Sequence, residues 1–447
     1  MKIVIIGAGE VGFHLAKRLL YEKHDLVLID SDPDRCSFVQ DVLDVSVILG
    51  NGSSQSILKE AGLASADMLI AASGSDEVNL IACMVASKLG VKRKIARVKN
   101  RDYYSDSSIL SSRDLGVDLF IHPEDEVIEE IFWLLMRGAA SEIFEFENGK
   151  ILIVGLKLDA NCPHLGKQLK EIGGEEEQKN FRIVAILRGD KTIIPVGEDY
   201  LNKNDQIFVC TKMESLPQVL LTTGKSDQKL DKILILGGGR IGQGVAKKLE
   251  EKKLKVTLIE SDKEKSVRVA GELQKTMVVH ADGTDIDVLA REGLMDMDAF
   301  VATTSDDENN IISCLLAKHF KIQKTIALVN KTTYLPLMSI IGIDSTVNVR
   351  LSTAMAILRF MRRGEIISVA AFHGLEAEAI ELEIKSGGKV TGKPLRRLGL
   401  PEGMLVAAII RGQEVLIPYG DSIIKQGDRV ITFAIPKAIP ILGKWFN

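Results

Sequence analysis

The chain is 447 residues long, 46% apolar and 26% charged, with a formal net charge of -4. This composition is globular rather than disordered, and the charge offers no basic field to nucleic acid or anionic lipid, so no nucleic-acid partner is expected. No uncharged apolar segment approaches the ~18 to 20 residues of a membrane helix, and Met1 and Lys2 lead directly into an apolar strand rather than a signal peptide, so a soluble, cytosolic chain is expected.

Length alone suggests about three domains at roughly 150 residues each. Cys36, Cys83, Cys162, Cys210 and Cys314 are scattered without a CxxC pair, and the histidines are equally dispersed. Neither disulfides nor a metal site is expected.

Residues 3–6 are an apolar run of the kind a buried parallel strand makes, and Gly7-Ala8-Gly9-Glu10-Val11-Gly12 follows with GxGxxG spacing. Glycines so spaced let the backbone turn sharply and approach a diphosphate resting on the N-terminus of the next helix. A turn that only packs strand against helix is the competing reading. A helix over 11–20 and a strand over 25–29 deliver Asp30 and Ser31, where dinucleotide-binding units place a carboxylate for the ribose hydroxyls; a solvated loop aspartate is the alternative. A helix over 34–40 and a strand over 45–49 lead to Gly50-Asn51-Gly52-Ser53.

A fourth strand over 68–72 ends at Ser73, on the edge where ligands gather in open α/β sheets. A helix over 79–89, a fifth strand over 94–98 carrying Arg97, a helix over 104–115 and a strand over 119–121 complete a β-α alternation that calls for a parallel, doubly wound sheet. Arg97 is either a phosphate donor or a surface strand-end arginine. An amphipathic helix over 125–140 then gives way to short strands over 151–156, 182–187, 192–194 and 206–210, with a short helix over 165–172: a small α+β domain ending near Leu221. Residues 222–228 are small and polar and read as a linker.

The second half repeats the first. Gly237-Gly238-Gly239-Arg240-Ile241-Gly242 lies 230 positions after the first glycine motif and follows the same apolar strand; Glu260 and Ser261 stand where Asp30 and Ser31 do. After one inserted residue, Asp282-Gly283-Thr284 answers Asn51-Gly52-Ser53, and Asp307, Glu308 and Asn310 answer Asp76, Glu77 and Asn79. Leu328 replaces Arg97, and the segment 406–412 matches 183–189. Four domains in the order N-C-N-C fit better than three: 1–122, 123–224, 230–348 and 349–447.

With those residues in view, the chain resembles the two-module, RCK-domain regulatory proteins of potassium uptake, the TrkA type. The likeness rests on residues 1–12, Asp30-Ser31-Asp32, Gly50 to Ser53, Asp76-Glu77-Val78-Asn79, Ala96-Arg97-Val98, Gly166-Lys167 and the segment 183–189, and it runs through both halves. It implies two Rossmann-like domains, each followed by a small α+β RCK C-terminal domain. It also implies a non-catalytic gating protein that binds NAD(H), ATP or ADP, self-associates into a ring, and sits as a peripheral protein at the inner face of the membrane beneath a potassium channel subunit of the TrkH type.

On that reading Gly7, Ala8, Gly9, Glu10, Val11 and Gly12 hold the phosphates, Asp30 and Ser31 the ribose, and Asn51, Gly52 and Ser53 the adenosine, with Ser73 and Arg97 at the strand ends. Gly237, Gly239, Arg240, Ile241, Gly242, Glu260, Ser261, Asp282, Gly283, Thr284 and Thr303 do so in the second half. Leu328 cannot pair with phosphate, so the two sites should differ in preference. No catalytic or metal-binding residue is expected.

Two other functions compete. An NAD-dependent oxidoreductase needs a proton-transferring group beside the nicotinamide, and the nearest candidate is His122, heading Pro123-Glu124-Asp125-Glu126; that stretch reads better as a helix start with proline and acids in the first turn. Glu175-Glu176-Glu177 reads as a solvated loop. A nucleotide-sensing regulator of a different cation transporter is the second. The apolar faces of 127–135 and 355–360 serve either contacts between chains or packing on their own N domain.

Overall fold

The computed structural model describes residues 1–21, 24–105, 108–138, 140–147, 149–172, 180–189, 191–225, 230–283, 285, 294–361, 366–372, 375–384 and 389–446. The chain divides into two compact units, one of residues 1–126 with 349–361 and one of 127–348 with 362–447.

The first unit is built on β1 (Lys2–Ile6), α1 (Glu10–Tyr21), β2 (Asp25–Asp30), α2 (Pro33–Val42), β3 (Ser46–Leu49), α3 (Gln55–Glu60), β4 (Met68–Ala71), α4 (Asp76–Lys88), β5 (Arg93–Arg97) and β6 (Leu119–Ile121). Its six strands are parallel, in the order β3-β2-β1-β4-β5-β6. The order reverses between β1 and β4, which places the ligand crevice of such a sheet at the carboxyl end of β1. Ile3, Val4, Ile5, Leu69, Ile70 and Ala71 are fully buried because helices cover both faces, hence the unbroken apolar runs. α5 (Pro123–Met136) follows, with proline first and three acids in its opening turn.

The second unit begins with an antiparallel sheet of β7 (Glu142–Phe146), β8 (Ile151–Lys157), β9 (Phe181–Arg188), β10 (Lys191–Ile193) and β11 (Gln206–Lys212), followed by α6 (Leu216–Thr222). A second parallel sheet comprises β12 (Lys232–Leu236), β13 (Lys255–Glu260), β14 (Met277–His280), β15 (Ala299–Ala302), β16 (Lys324–Leu328) and β17 (Ser345–Val347). Its helices are α7 (Arg240–Glu251), α8 (Lys263–Glu272), α9 (Asp307–His319) and α10 (Leu335–Ile341). Its strand order, β14-β13-β12-β15-β16-β17, is that of the first.

After α11 (Val349–Met361), the chain closes with β18 (Ile366–Ala371), β19 (Glu378–Glu383), β20 (Met404–Arg411), β21 (Glu414–Leu416), β22 (Arg429–Ala434) and α12 (Ile439–Phe446). The antiparallel order β18-β19-β22-β20-β21 again copies the first half. Each antiparallel sheet carries the same arginine fork on a buried carboxylate: Arg188 on Asp205 at 2.9 and 2.8 Å, and Arg411 on Asp428 at 2.9 and 2.8 Å. The two sheets share one core. Phe372 meets Phe144 edge-on at 4.6 Å and Phe208 at 4.9 Å, in a cluster with Ile151, Ile153, Ala379 and Phe433.

The linking helices are exchanged, which neither reading of their apolar faces foresaw. Helix α11, from the second half, packs on α1: Ala354, Ile357, Leu358 and Met361 share a buried cluster with Val11, Leu15, Ala16 and Leu19. Its ends are held by charge, Arg350 pairing with Glu10 at the start and Arg93 Nη1 donating to the Met361 carbonyl at 2.6 Å at the finish. Residues 127–136 of α5, from the first half, belong to the second unit. There Ile128 lies against Gly244 of α7, Glu129 pairs with Lys248 at 2.6 Å, and Lys248 sits 5.5 Å from the Phe132 ring centre. Lys324 donates to the Ala140 carbonyl just beyond α5 and to Ser345 Oγ at 2.9 Å.

Burial pushes the Lys324 ammonium down to about 8. The folded value lies below the unfolded one, so between about 8 and the ordinary lysine range the unfolded chain holds more protons and stability rises with pH. Below about 8 the burial penalty is fully present. Lys324→Met should therefore flatten that rise; denaturant titrations of both proteins at pH 7.5 and 9.5 measure the difference.

Two expected helices are absent. After a short 3-10 segment, Arg101–Tyr103, the described residues of 104–115 form turns and bends, because local polar groups satisfy the backbone instead: Asp114 accepts from the Ser111 amide at 2.9 Å and its hydroxyl at 2.6 Å. In the second half the corresponding segment, richer in apolar residues, does form α10. Within 165–172 only Leu169–Glu171 makes a 3-10 turn.

Candidate functional site

The glycine loops sit at the carboxyl ends of β1 and β12. Gly7 has φ +99° and Gly237 φ +101°, and a Cβ on Gly12 would stand 1.8 Å from the Gly7 carbonyl oxygen, so these positions admit only glycine. A Cβ on Gly239 would meet nothing within 4 Å, and one on Gly9 only Arg35 Nη1 at 3.4 Å. The middle glycines thus face open space, which is what a diphosphate approaching the backbone requires. Gly239 gives α7 no side-chain cap, leaving its first amides as donors, whereas the neighbouring α2 and α8 are capped by Asp32 and Asp262. Val11 and Ile241 turn their side chains into the core and offer the loop only backbone.

Asp30 and Glu260 are loop latches rather than solvated loop acids. Asp30 accepts from the Ala8 amide at 2.6 Å and the Asp32 amide at 3.0 Å. Glu260 accepts from Gly238 at 2.9 Å, Asp262 at 3.0 Å and the Ser261 hydroxyl at 3.4 Å, and pairs with Lys265 at 2.5 Å. Burial works to raise the Glu260 carboxyl, but Lys265 and the two amides outweigh it and hold it below the usual range. A carboxylate offers about four acceptor positions; among the described residues two of those of Asp30 stay open, whereas those of Glu260 are taken.

Asn51 accepts from both the amide and hydroxyl of Ser53, at 2.9 and 2.8 Å. Gly52 and Gly283 are buried and packed on Ile6 and Leu236. Asp282 and Ser31 are exposed, and Thr284 lies outside the described residues. Ser73 donates to Asn79 Oδ1 at 2.8 Å, and Asn79 donates on to the Arg97 carbonyl at 2.8 Å. The second half repeats this wiring through Thr304, Asn310 and the Leu328 carbonyl. Thr303, expected to match Ser73, is instead buried with its hydroxyl donating to the Leu236 and Gly237 carbonyls; Thr304 is the matching residue.

Arg97 is not a surface residue. Its Nη1 donates to the Ser73 carbonyl at 3.2 Å, burial lowers its pKa, and its buried Nε has no hydrogen-bond partner among the described residues. A half-buried guanidinium with an open donor, bonded to Ser73 beside Gly7, fits an anionic ligand. The described residues at the first loop therefore suit the phosphates and ribose of a nucleotide. By contrast His122 is occupied structurally, bonded to the Val98 carbonyl at 3.0 Å and stacked on Tyr104.

The TrkA-N domain model matches residues 3–123 and 233–349, and the TrkA-C domain model residues 153–221 and 379–447. Trk system potassium uptake protein TrkA homolog 1 of Methanosarcina mazei is 37% identical with 100% of both chains covered. The chain belongs to the TrkA family of Trk-system potassium uptake proteins. TrkA of Halomonas elongata is 34% identical over 98% of this chain and 96% of its own. Among solved structures, the GsuK RCK domain superposes with a TM-score of 0.59 at 21% identity, covering 99% of this chain and 94% of that one. The GsuK channel bound to NAD gives 0.59 at 21% identity, covering 100% and 78%. These structural likenesses support the RCK-type α/β fold.

Sequence reasoning missed Arg350 and Arg35 in this TrkA-family chain. Arg350 reaches the first loop only because α11 crosses from the other half, a contact without local signal. Arg35, one turn into α2 and paired with Asp32 at 3.3 Å, was legible from its counterpart Lys265, 230 positions on.

Proposed function

We propose that this chain is a non-catalytic, nucleotide-sensing regulatory subunit that gates a potassium uptake channel of the TrkH type from the cytoplasmic face, with domains at 1–122, 123–224, 230–348 and 349–447. The observation that carries the reading is that each glycine loop opens onto the helix against which the other half's linking helix packs. In the first unit, Glu10 is both the first residue of α1 and the partner of Arg350 on α11. A nucleotide phosphate on that helix start competes with Glu10 for nearby cations, so binding alters the seating of α11. The GsuK structures titled as bound to NAD and to ADP support NAD(H), ATP or ADP as the ligands.

Exposed apolar side chains support a ring of several chains: Ile81 and Met84 on α4, and Leu337 and Ile340 on α10, the last 79% exposed. No helix among the described residues is long and apolar enough to cross a membrane, in keeping with a peripheral partner. Among the described residues the nearest proton-transfer candidate, His122, is engaged by the Val98 carbonyl and Tyr104, which favours this reading over an oxidoreductase.

Hydrogen exchange tests it. ATP, ADP or NADH should change amide exchange in residues 349–361; an unchanged rate with bound nucleotide refutes the coupling. The Asp30 carboxylate favours a free ribose 2′-hydroxyl, and both it and Glu260 repel a 2′-phosphate, so NADPH should bind at least about ten-fold more weakly than NADH. Equal affinities by calorimetry would contradict the assigned roles.

A further inference from the structure

The two linking helices stand in equivalent places in the two halves. From β6 and β17 onward they align without a gap: His122 and Asn348 bond the equivalent carbonyls of Val98 and Val329, and Val127 and Ile131 match Thr353 and Ile357, all four fully buried. Each nevertheless packs in the unit built on the other half's parallel sheet. Nothing in the shared apolar pattern makes that choice.

Of the positions at which they differ, two are inverted between the halves. The first is charge. The helix after the first glycine loop begins with Glu10, which pairs with Arg350, the second residue of α11. In the second half the loop helix begins with Arg240, and the second residue of α5 is Glu124. The second is size. On α7, Gly244 leaves room for Ile128 of α5, whose Cδ1 comes within 2.2 Å of where a Cβ would stand. In register, His14 occupies the place of Gly244 on α1, and Ala354 that of Ile128 on α11.

We propose that these inverted residues, seen in contact as Glu10 with Arg350 and as Gly244 with Ile128, form a pairing code by which each N domain accepts the linking helix of the unlike half and rejects that of its own kind, including the one offered by a second copy of this chain. Seated on α1, α5 would bring Glu124 to Glu10 and Ile128 to His14, a like-charge contact and an overfilled site. Seated on α7, α11 would bring Arg350 to Arg240 and leave the space over Gly244 unfilled by Ala354. Each mismatch disfavours the wrong seating by a separate mechanism, one electrostatic and one steric. The code concerns how the halves recognise each other and stands whatever nucleotide the loops bind.

The test uses the full chain and two rescue cycles read by amide hydrogen exchange and thermal unfolding. Arg350→Glu should speed exchange across 349–361 by about ten-fold, more than the neutral Arg350→Gln, and the reversed pair Glu10→Arg with Arg350→Glu should restore the wild-type rate. Gly244→His should speed exchange across 127–136 at least as much, and adding Ile128→Ala should recover most of the loss. Rescue in both cycles supports the code. Equal effects of Arg350→Glu and Arg350→Gln, or failure of either compensating substitution to restore protection in a folded chain, would overturn it.

Discussion

Arg97→Leu, which copies the residue at position 328, should weaken ATP and ADP binding at the first loop by roughly 10- to 100-fold. The estimate follows from about 1.5–3 kcal/mol for a hydrogen bond to a charged group. Arg97 is held in place by the Ser73 carbonyl, its Nε is buried without a hydrogen-bond partner among the described residues, and the strands beside it are buried. The reciprocal Leu328→Arg should not produce an equal gain, because the Glu260 acceptor positions are already filled by Gly238, Asp262, Ser261 and Lys265. Lys265→Ala, by freeing one of them, should improve the second site more than Leu328→Arg alone. Calorimetry resolving two unequal sites in the wild type, and near-equal weak sites in Arg97→Leu, is the expected outcome. Identical constants in the wild type would remove the basis for assigning the sites different tasks.

Phe372→Ala should destabilise the second unit by about 3–5 kcal/mol, the range for truncating a buried phenylalanine. Phe372 joins the two antiparallel sheets: its ring contacts Phe144 and Phe208 from the first half and Phe433 from the second, and the surrounding cluster draws on both. Loss there leaves a cavity shared by the two halves. Denaturant unfolding followed by the far-ultraviolet signal measures the loss, and a change below about 1 kcal/mol would mean that the shared core is not the main tie between those sheets.

Much of this architecture was legible because the chain states it twice. The apolar run before each glycine motif, the carboxylate at 30 and 260 and the repeated asparagine at 79 and 310 mark the same sheet in each half, and each recurs with the same hydrogen bonds. Local pattern was weaker where serine and aspartate close their own turns, as at Ser111 and Asp114, and a helix expected there is replaced by turns. The roles of individual carboxylates were only half visible: spacing placed Asp30 and Glu260 at the ribose position, but only geometry shows that one retains free acceptors and the other does not. Threonine 303 illustrates a register error of one residue, caused by the insertion before Asp282.

The exchange of linking helices was not legible at all from periodicity. An amphipathic face shows that a helix packs, not against which partner, and the faces of 127–135 and 355–360 are nearly equivalent. Only the structure places Arg350 on Glu10 and Ile128 on Gly244, and only then do the inverted residues at 10, 240, 124 and 350 acquire a meaning. The same exchange ties the first glycine loop to a helix of the other half, which supports the proposal that ligand binding changes shape rather than drives a step of chemistry.

The most direct test of that claim is potassium flux through a reconstituted TrkH-type channel subunit with this chain added and ATP, ADP and NADH titrated in turn. Flux should depend on which nucleotide is present, and Arg97→Leu should shift the effective ATP or ADP concentration upward. Flux that responds to the chain but not to any nucleotide would contradict nucleotide gating and leave the chain a scaffold.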